Sequence, residues 1–405
     1  MGLVKLIKAV TKVDDHTVKF ELNEPNATFV PILTMGFASI YSAEYADKLL
    51  KANSQVDLNS KPIGGPFVLK SYTKNSVIRH DVNLAYWGPK PKVDRLIYAI
   101  TLDVAVRAQK TKAGECQIAL SPKPQDVLDA KKDKSLKVSE ALALMTAFVA
   151  LNTQRKPLDN PKVRQAINMA FDRTTYMKTV FDNTVTQAVN PYPPNTWSYD
   201  KSYDKNIAAY RYSPDDAKKL LADACFPNGF DTTIWVRPNG SVLNPKAGAE
   251  LLQADLAKIG VKAQVKIIKW GELIKQGQHD MLFMGWAGDN GDPDNYLSPL
   301  FSCNAVKSGI NFARFCDPQL DKLISDGKAT PDVAKRTKAY RRAEDHPRSG
   351  AVDSARLSDR RRSSRARYQA GEKRITPSSP VFLSSVPSSH SRFRCASASP
   401  SANVT

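Results

Sequence analysis

Three carboxylates crowd into one short stretch, Asp289, Asp292 and Asp294, inside Met284-Gly285-Trp286-Ala287-Gly288-Asp289-Asn290-Gly291-Asp292-Pro293-Asp294-Asn295-Tyr296. Glycines at 285, 288 and 291 open backbone conformations closed to other residues, and Asp and Asn side chains bond their own neighbouring backbone. The stretch therefore reads as a shaped loop, the kind of segment on which function concentrates. A Trp beside a fixed carboxylate offers an apolar wall and an acceptor, which suits a cationic group such as an ammonium. A solvated acidic turn is the plain alternative. A calcium loop does not fit, because no Glu stands at the bidentate position and Pro293 interrupts the alternation. A hydrolase using two of these carboxylates stays open, although the sequence argues for no pocket that would raise a carboxyl pKa.

Other chemistry finds little support. The chain has no P-loop, no GxGxxG after a strand, no GxSxG and no HExxH, and its histidines at 16, 80, 279, 346 and 390 lack triad or ligand spacing. The cysteines at 116, 225, 303, 316 and 395 include no CxxC pair, so no zinc site and no other metal site is expected. Cys303 and Cys316 bracket a Gly/Asn-containing segment that can close as a small disulfide loop. Two separate buried thiols fit the residues equally well.

The elements that carry the loop follow from periodicity. The apolar run Met281-Leu282-Phe283 leads into it as a strand. Residues 6–23 alternate about Asp14-Asp15 as a hairpin, with strands expected at 67–72, 76–82 and 96–102 and helices at 26–35 and 43–52. A second region starts near 143 with the buried strand Leu144 to Leu151. A helix capped by Asn160 with Pro161 at its first position follows. Ser213 is expected to cap a further helix through its side-chain oxygen, with Asp216 facing the positive dipole end, and that helix stops near Cys225. Then come a strand at 232–236, a loop from Arg237, a helix ended by Gly260 and a strand at 261–268. Strand and helix alternating in this way indicates an α/β architecture.

At 405 residues, 42% apolar and 24% charged, the chain is long enough for two or more domains. No apolar run reaches the 18 residues of a membrane span, and Met1 to Lys5 carries no signal-peptide pattern, so no export address is expected in the chain as written. The net charge of +19 is uneven: residues 345–405 hold eleven Lys/Arg against four Asp/Glu, a net of +7. The rest alternates with acids, as solvated surfaces do.

GWAGDNGDPDNY at 285–296 resembles the matching segment of periplasmic dipeptide-binding proteins, the extracellular solute-binding family 5 of ABC peptide importers. The similarity runs from about Gly2 to about Glu344, through Phe148 to Thr153, Lys156 to Asn168, Ser302-Cys303 and Phe315-Cys316. It implies an α/β, two-lobed periplasmic-binding-protein type II fold, with residues 1–142 a remnant of an incomplete first lobe and 143–344 the second, ligand-binding lobe. It also implies a monomeric, non-enzymatic receptor that captures di- or short peptides between its lobes and delivers them to the permease subunits of an ABC transporter. Asp289 and Arg237 match the family's partners for the ligand's ammonium and carboxylate, with Trp286 and Gly288 beside them. Arg suits its task because its planar fork can grip a carboxylate bidentately. The resemblance further implies a Cys303–Cys316 disulfide, an oxidising periplasmic compartment and no resident cofactor, while some relatives carry haem.

After Glu344 the composition changes to fifteen serines and ten arginines in 345–405. Such Ser/Arg sequence is expected to be disordered, and a shifted reading frame would account for it. The alternative function, a basic nucleic-acid-associated protein acting through this tail, has few interleaved aromatics in its favour, and no nucleic-acid partner is expected.

Overall fold

The computed structural model describes residues 3–53, 65–120, 122–140, 142–188, 190–202, 211–237, 244–269 and 277–345, together with three short strand segments beyond 345. The strands are β1 (Ile7–Lys12), β2 (Val18–Leu22), β3 (Phe67–Thr73), β4 (Val77–Val82), β5 (Arg95–Ile100), β6 (Ile118–Ala119), β7 (Lys137–Ser139), β8 (Met145–Leu151), β9 (Thr186–Gln187), β10 (Asp231–Val236), β11 (Lys262–Ile267), β12 (Met281–Ala287), β13 (Leu357–Ser358), β14 (Arg365–Arg367) and β15 (Cys395–Ala398). The chain divides into two compact units, residues 1–39 with 143–360 and residues 40–142 with 361–405.

In the first unit a six-stranded sheet runs β11-β10-β12-β8-β13-β9. Its centre is β12, parallel to β10 and antiparallel to β8. Because side chains alternate along a strand, β12 feeds two cores. Met281 and Phe283 point to one, with Val149 and Leu151 of β8 and Ile234 and Val236 of β10. The helices Pro161–Ala170, Arg173–Phe181, Pro214–Asp223 and Pro245–Ala257 close that face with Val163, Tyr176, Leu221 and Leu252. Leu282 points to the other core, with Met284 and Trp286 packed against it. The helices Asp294–Phe301, Pro318–Ala329 and Val333–Asp345 close this face with Tyr296, Leu320 and Tyr340. The Pro245–Ala257 helix joins β10 to its parallel neighbour β11, the crossover that parallel pairing requires.

The second unit holds a seven-stranded sheet, β3-β4-β5-β15-β6-β14-β7, whose first three strands form an antiparallel meander. Asp103 caps its helix Val104–Lys112, accepting from the N–H groups of Ala105 and Val106 at 2.7 and 3.1 Å.

Several expectations meet a different arrangement. Residues 1–39 group with 143–360 and not with the region up to 142. A contact that ties them there is the Ala27 N–H bonded to the Lys328 carbonyl at 2.8 Å, beside buried Phe29. Ser213 makes no cap: its hydroxyl donates to Asp216 at 2.8 Å, because the carboxylate one turn on is the stronger acceptor partner. Cys225 itself takes the left-handed conformation, φ 68°, that a glycine would adopt without strain. In the stretch expected to be disordered, β13 joins β8 to β9, β14 joins β6 to β7, and β15 joins β5 to β6, each satisfying main-chain groups on flanking strands. The remainder of 346–405, the turn at Gly64 and residues 270–276 lie outside the described residues.

Candidate functional site

β10 and β12 run parallel as neighbours, with Val236 in register with Phe283. Their carboxyl ends therefore open at one edge of the sheet, and in open α/β sheets that edge is where ligands are held. Arg237 is the first residue past β10, and Asp289 the second past β12. The topology thus brings a guanidinium and a carboxylate to the same sheet edge from adjacent strands. Arg237 is half-buried, and desolvation lowers its pKa from the ordinary guanidinium value. The loop that follows it, 238–243, lies outside the described residues.

The three loop carboxylates separate into two kinds. Asp292 and Asp294 are turned into the protein. Asp292 is 4% exposed and receives Nη2 of Arg336 on both oxygens, at 3.0 and 2.9 Å, while its Oδ1 also accepts the Asp294 N–H at 3.0 Å. Asp294 accepts from the Ser298 hydroxyl at 2.5 Å, and burial pushes its carboxyl up to about 6. Asp289 keeps an exposed side chain whose pKa is raised above the carboxylate norm by partial desolvation, against the opposing effect of Asn295. It is the loop's outward anion.

Local hydrogen bonds set where that anion stands. The Asp289 N–H donates to Oδ1 of Asn295 at 2.9 Å, and the indole N–H of Trp286 donates to the Asn295 carbonyl at 2.7 Å. Asn295 lies in the first turn of the Asp294–Phe301 helix, so strand end and helix start are joined through one side chain and one carbonyl. Trp286 is half-buried, its ring against the second core. Gly288 has a packing reason of its own. Its N–H donates to the Leu144 carbonyl at 2.6 Å, and a Cβ there would overlap the Tyr296 phenol, which itself donates to Leu144 at 2.9 Å.

Cys303 and Cys316 are joined in a disulfide with Cα atoms 4.6 Å apart. It closes the segment after the Asp294–Phe301 helix, where Asn311 donates to the carbonyls of Ser302 and Phe315 at 3.2 and 2.8 Å. Among the described residues no group of three or more His, Cys, Asp or Glu could hold a metal ion. No helix among them is long and apolar enough to cross a membrane. Sequence reasoning missed Arg336, which holds Asp292 from behind the loop, and Trp197 and Tyr340, which flank its guanidinium. Arg336 stacks over both rings, with centroids 5.1 and 5.5 Å away, and nothing in its charged surroundings, Lys335 to Glu344, distinguishes it in the sequence.

Residues 3–308 match the family described as bacterial extracellular solute-binding proteins, family 5. Over 350 residues the chain is 59% identical to a probable di/tripeptide-binding protein of Pseudomonas aeruginosa, a match covering 85% of this chain and 65% of that protein. The chain thus spans just under two thirds of that relative's length. Among solved structures it is similar to the ABC transporter-associated periplasmic binding protein DppA from Helicobacter pylori in complex with the peptide STSA. That match has a TM-score of 0.80 and 34% identity, over 91% of this chain and 71% of that one. It is also similar to a dipeptide-binding protein from Pseudoalteromonas in complex with Met-Leu, with a TM-score of 0.79 and 32% identity over 91% and 72% of the two chains. The fold is accordingly the α/β, two-lobed periplasmic-binding-protein type II architecture. With a family match over three quarters of its length, the chain belongs to the bacterial extracellular solute-binding proteins of family 5.

Proposed function

We propose that this chain captures di- or short peptides for an ABC importer in the periplasm, holding the ligand's ammonium on Asp289 and its carboxylate on Arg237. The observation that carries the reading is the parallel pairing of β10 with β12, which delivers two opposite charges to one sheet edge. A zwitterionic dipeptide presents the complementary pair, and charge-assisted bonds to its ends recognise it without reading its side chains. The half-buried Trp286 indole supplies apolar wall beside Asp289. The names and bound ligands of the similar proteins, di- and tripeptide binders among them, support the same chemistry. The ordering of the loop by Asn295 and Asp292 supports Asp289 as the anion left for a ligand.

Arg237→Ala tests the carboxylate end. Calorimetry should show a loss of about 1.5 kcal/mol or more for a free dipeptide, as for a charged hydrogen bond, and little loss for its C-terminal amide. Equal losses for the two ligands would remove Arg237 from that role.

A further inference from the structure

Behind the Asp289 loop lies a buried ion pair that makes no contact with the exposed carboxylate. Arg336 and Asp292 are 6% and 4% exposed, and both are held on all sides. Arg336 donates through Nε to the Gly327 carbonyl at 2.9 Å, and through Nη2 to both Asp292 oxygens and to the Tyr340 hydroxyl at 3.1 Å. Its plane lies over Trp197 and Tyr340. Tyr340 in turn fills the space that Gly327 leaves by having no side chain.

Such a pair is an expensive way to stabilise a fold. Removing two charges from water costs several kcal/mol, and a packed apolar pair of the same volume often does as well or better. What the guanidinium adds here is direction, since its plane is fixed at two points, Nε on the Gly327 carbonyl and Nη2 against both Asp292 oxygens. Here the direction can be traced bond by bond. Arg336, on the Val333–Asp345 helix, holds Asp292; Oδ1 of Asp292 holds the Asp294 N–H at the start of the Asp294–Phe301 helix; and Asn295, the next residue of that helix, holds the Asp289 N–H.

We infer that Arg336 and Asp292 are positioning residues for the peptide site, fixing through the Asp294–Asn295 turn the place of the Asp289 carboxylate and so the receptor's preference for a free ammonium. The inference rests on the assignment of Asp289 to the ammonium. It adds a requirement that neither the sequence nor the exposed site shows: a charge pair on the far side of the loop sets selectivity at its front. A binding group must be held to within about half an ångström to keep its advantage over water, and the Arg336–Asp292 contact is a charged tie between the loop and the Val333–Asp345 helix.

The test measures a free dipeptide and its N-acetylated form against four proteins: the unaltered chain, Arg336→Met, Arg336→Lys and Asp292→Asn. The readout is the ratio of the two dissociation constants, which a loss of folded protein does not change. Arg336→Met should cut that ratio about tenfold or more, by weakening the free dipeptide and leaving the acetylated one nearly unaffected. Arg336→Lys, which keeps a cation against Asp292, should recover part of the ratio. Asp292→Asn is nearly isosteric and retains an acceptor for the Asp294 N–H, so it stays folded where Arg336→Met does not, and it should lower the ratio as well. An unchanged ratio in folded Asp292→Asn overturns the inference, as does equal loss of both ligands in every variant. Asp289→Asn serves as the separating control. If it abolishes the preference while the pair's variants leave it intact, the ammonium assignment stands and the positioning role falls; if it leaves the preference intact, both fall.

Discussion

Asp289 differs from its neighbours in the loop by its partners: Asp292 has a buried guanidinium and Asp294 a serine hydroxyl, whereas Asp289 is exposed, with the neutral Asn295 side chain as the partner of its backbone N–H and of its carboxylate. The sequence marked this stretch as a shaped turn, because glycine, proline and paired Asp/Asn residues announce one whatever lies around it. It could not sort the three carboxylates, since the pairing that sets Asp292 apart comes from Arg336, 44 positions along the chain. Cys225 shows the same limit in the opposite direction. Its position after the Pro214–Asp223 helix is legible from the end of the apolar pattern, but its left-handed backbone, φ 68°, is not. A residue with a Cβ costs about 1 kcal/mol there. Cys225→Gly should therefore raise stability by about that amount in urea unfolding, and a variant that is less stable would show the strain to be absent.

At the level of elements, helix starts were the most readable feature. Asn160 caps its helix through the Lys162 N–H at 2.9 Å as expected, whereas the Ser213 hydroxyl donates to the Asp216 carboxylate and makes no cap. The Asp294–Phe301 helix carries a pH dependence of its own. The Asp294 carboxyl is raised from 3.8 to about 6 by burial, so the folded chain holds a proton that the unfolded chain has released between those values. Stability from this group is full below about pH 4 and is lost as pH rises through about 6, a change on the order of 3 kcal/mol. Asp294→Asn should flatten that part of the stability profile measured by denaturant titration from pH 4 to 7. A profile unchanged by the substitution would assign the proton elsewhere. The Cys303–Cys316 link closes a separation of 13 residues immediately after this helix. Replacing both by Ser should cost about 3 kcal/mol in the same assay, and no loss would mean that the hydrogen bonds of Asn311 already hold the segment.

For the whole molecule, the decisive feature is a sheet whose central strand has a different core on each face, so that its ends are rigid while its loops are free to carry charge. Alternating strand and helix patterns made the α/β class readable, and the residues from 285 to 296 made the family readable. The grouping of residues 1–39 with 143–360 was not, because a hydrogen bond such as Ala27 to Lys328 joins positions that no local pattern relates. The central claim is that this framework presents Asp289 to a ligand's ammonium. Its most direct test is a calorimetric cycle pairing the 405-residue chain and Asp289→Asn with a dipeptide and its N-acetylated form. The account predicts that the chain binds the dipeptide, that acetylation or the Asn substitution each weakens binding by at least about 1.5 kcal/mol, and that the two together cost little more than either alone. Failure of the chain to bind the dipeptide, equal binding of the free and acetylated peptides, or losses that simply add would contradict it.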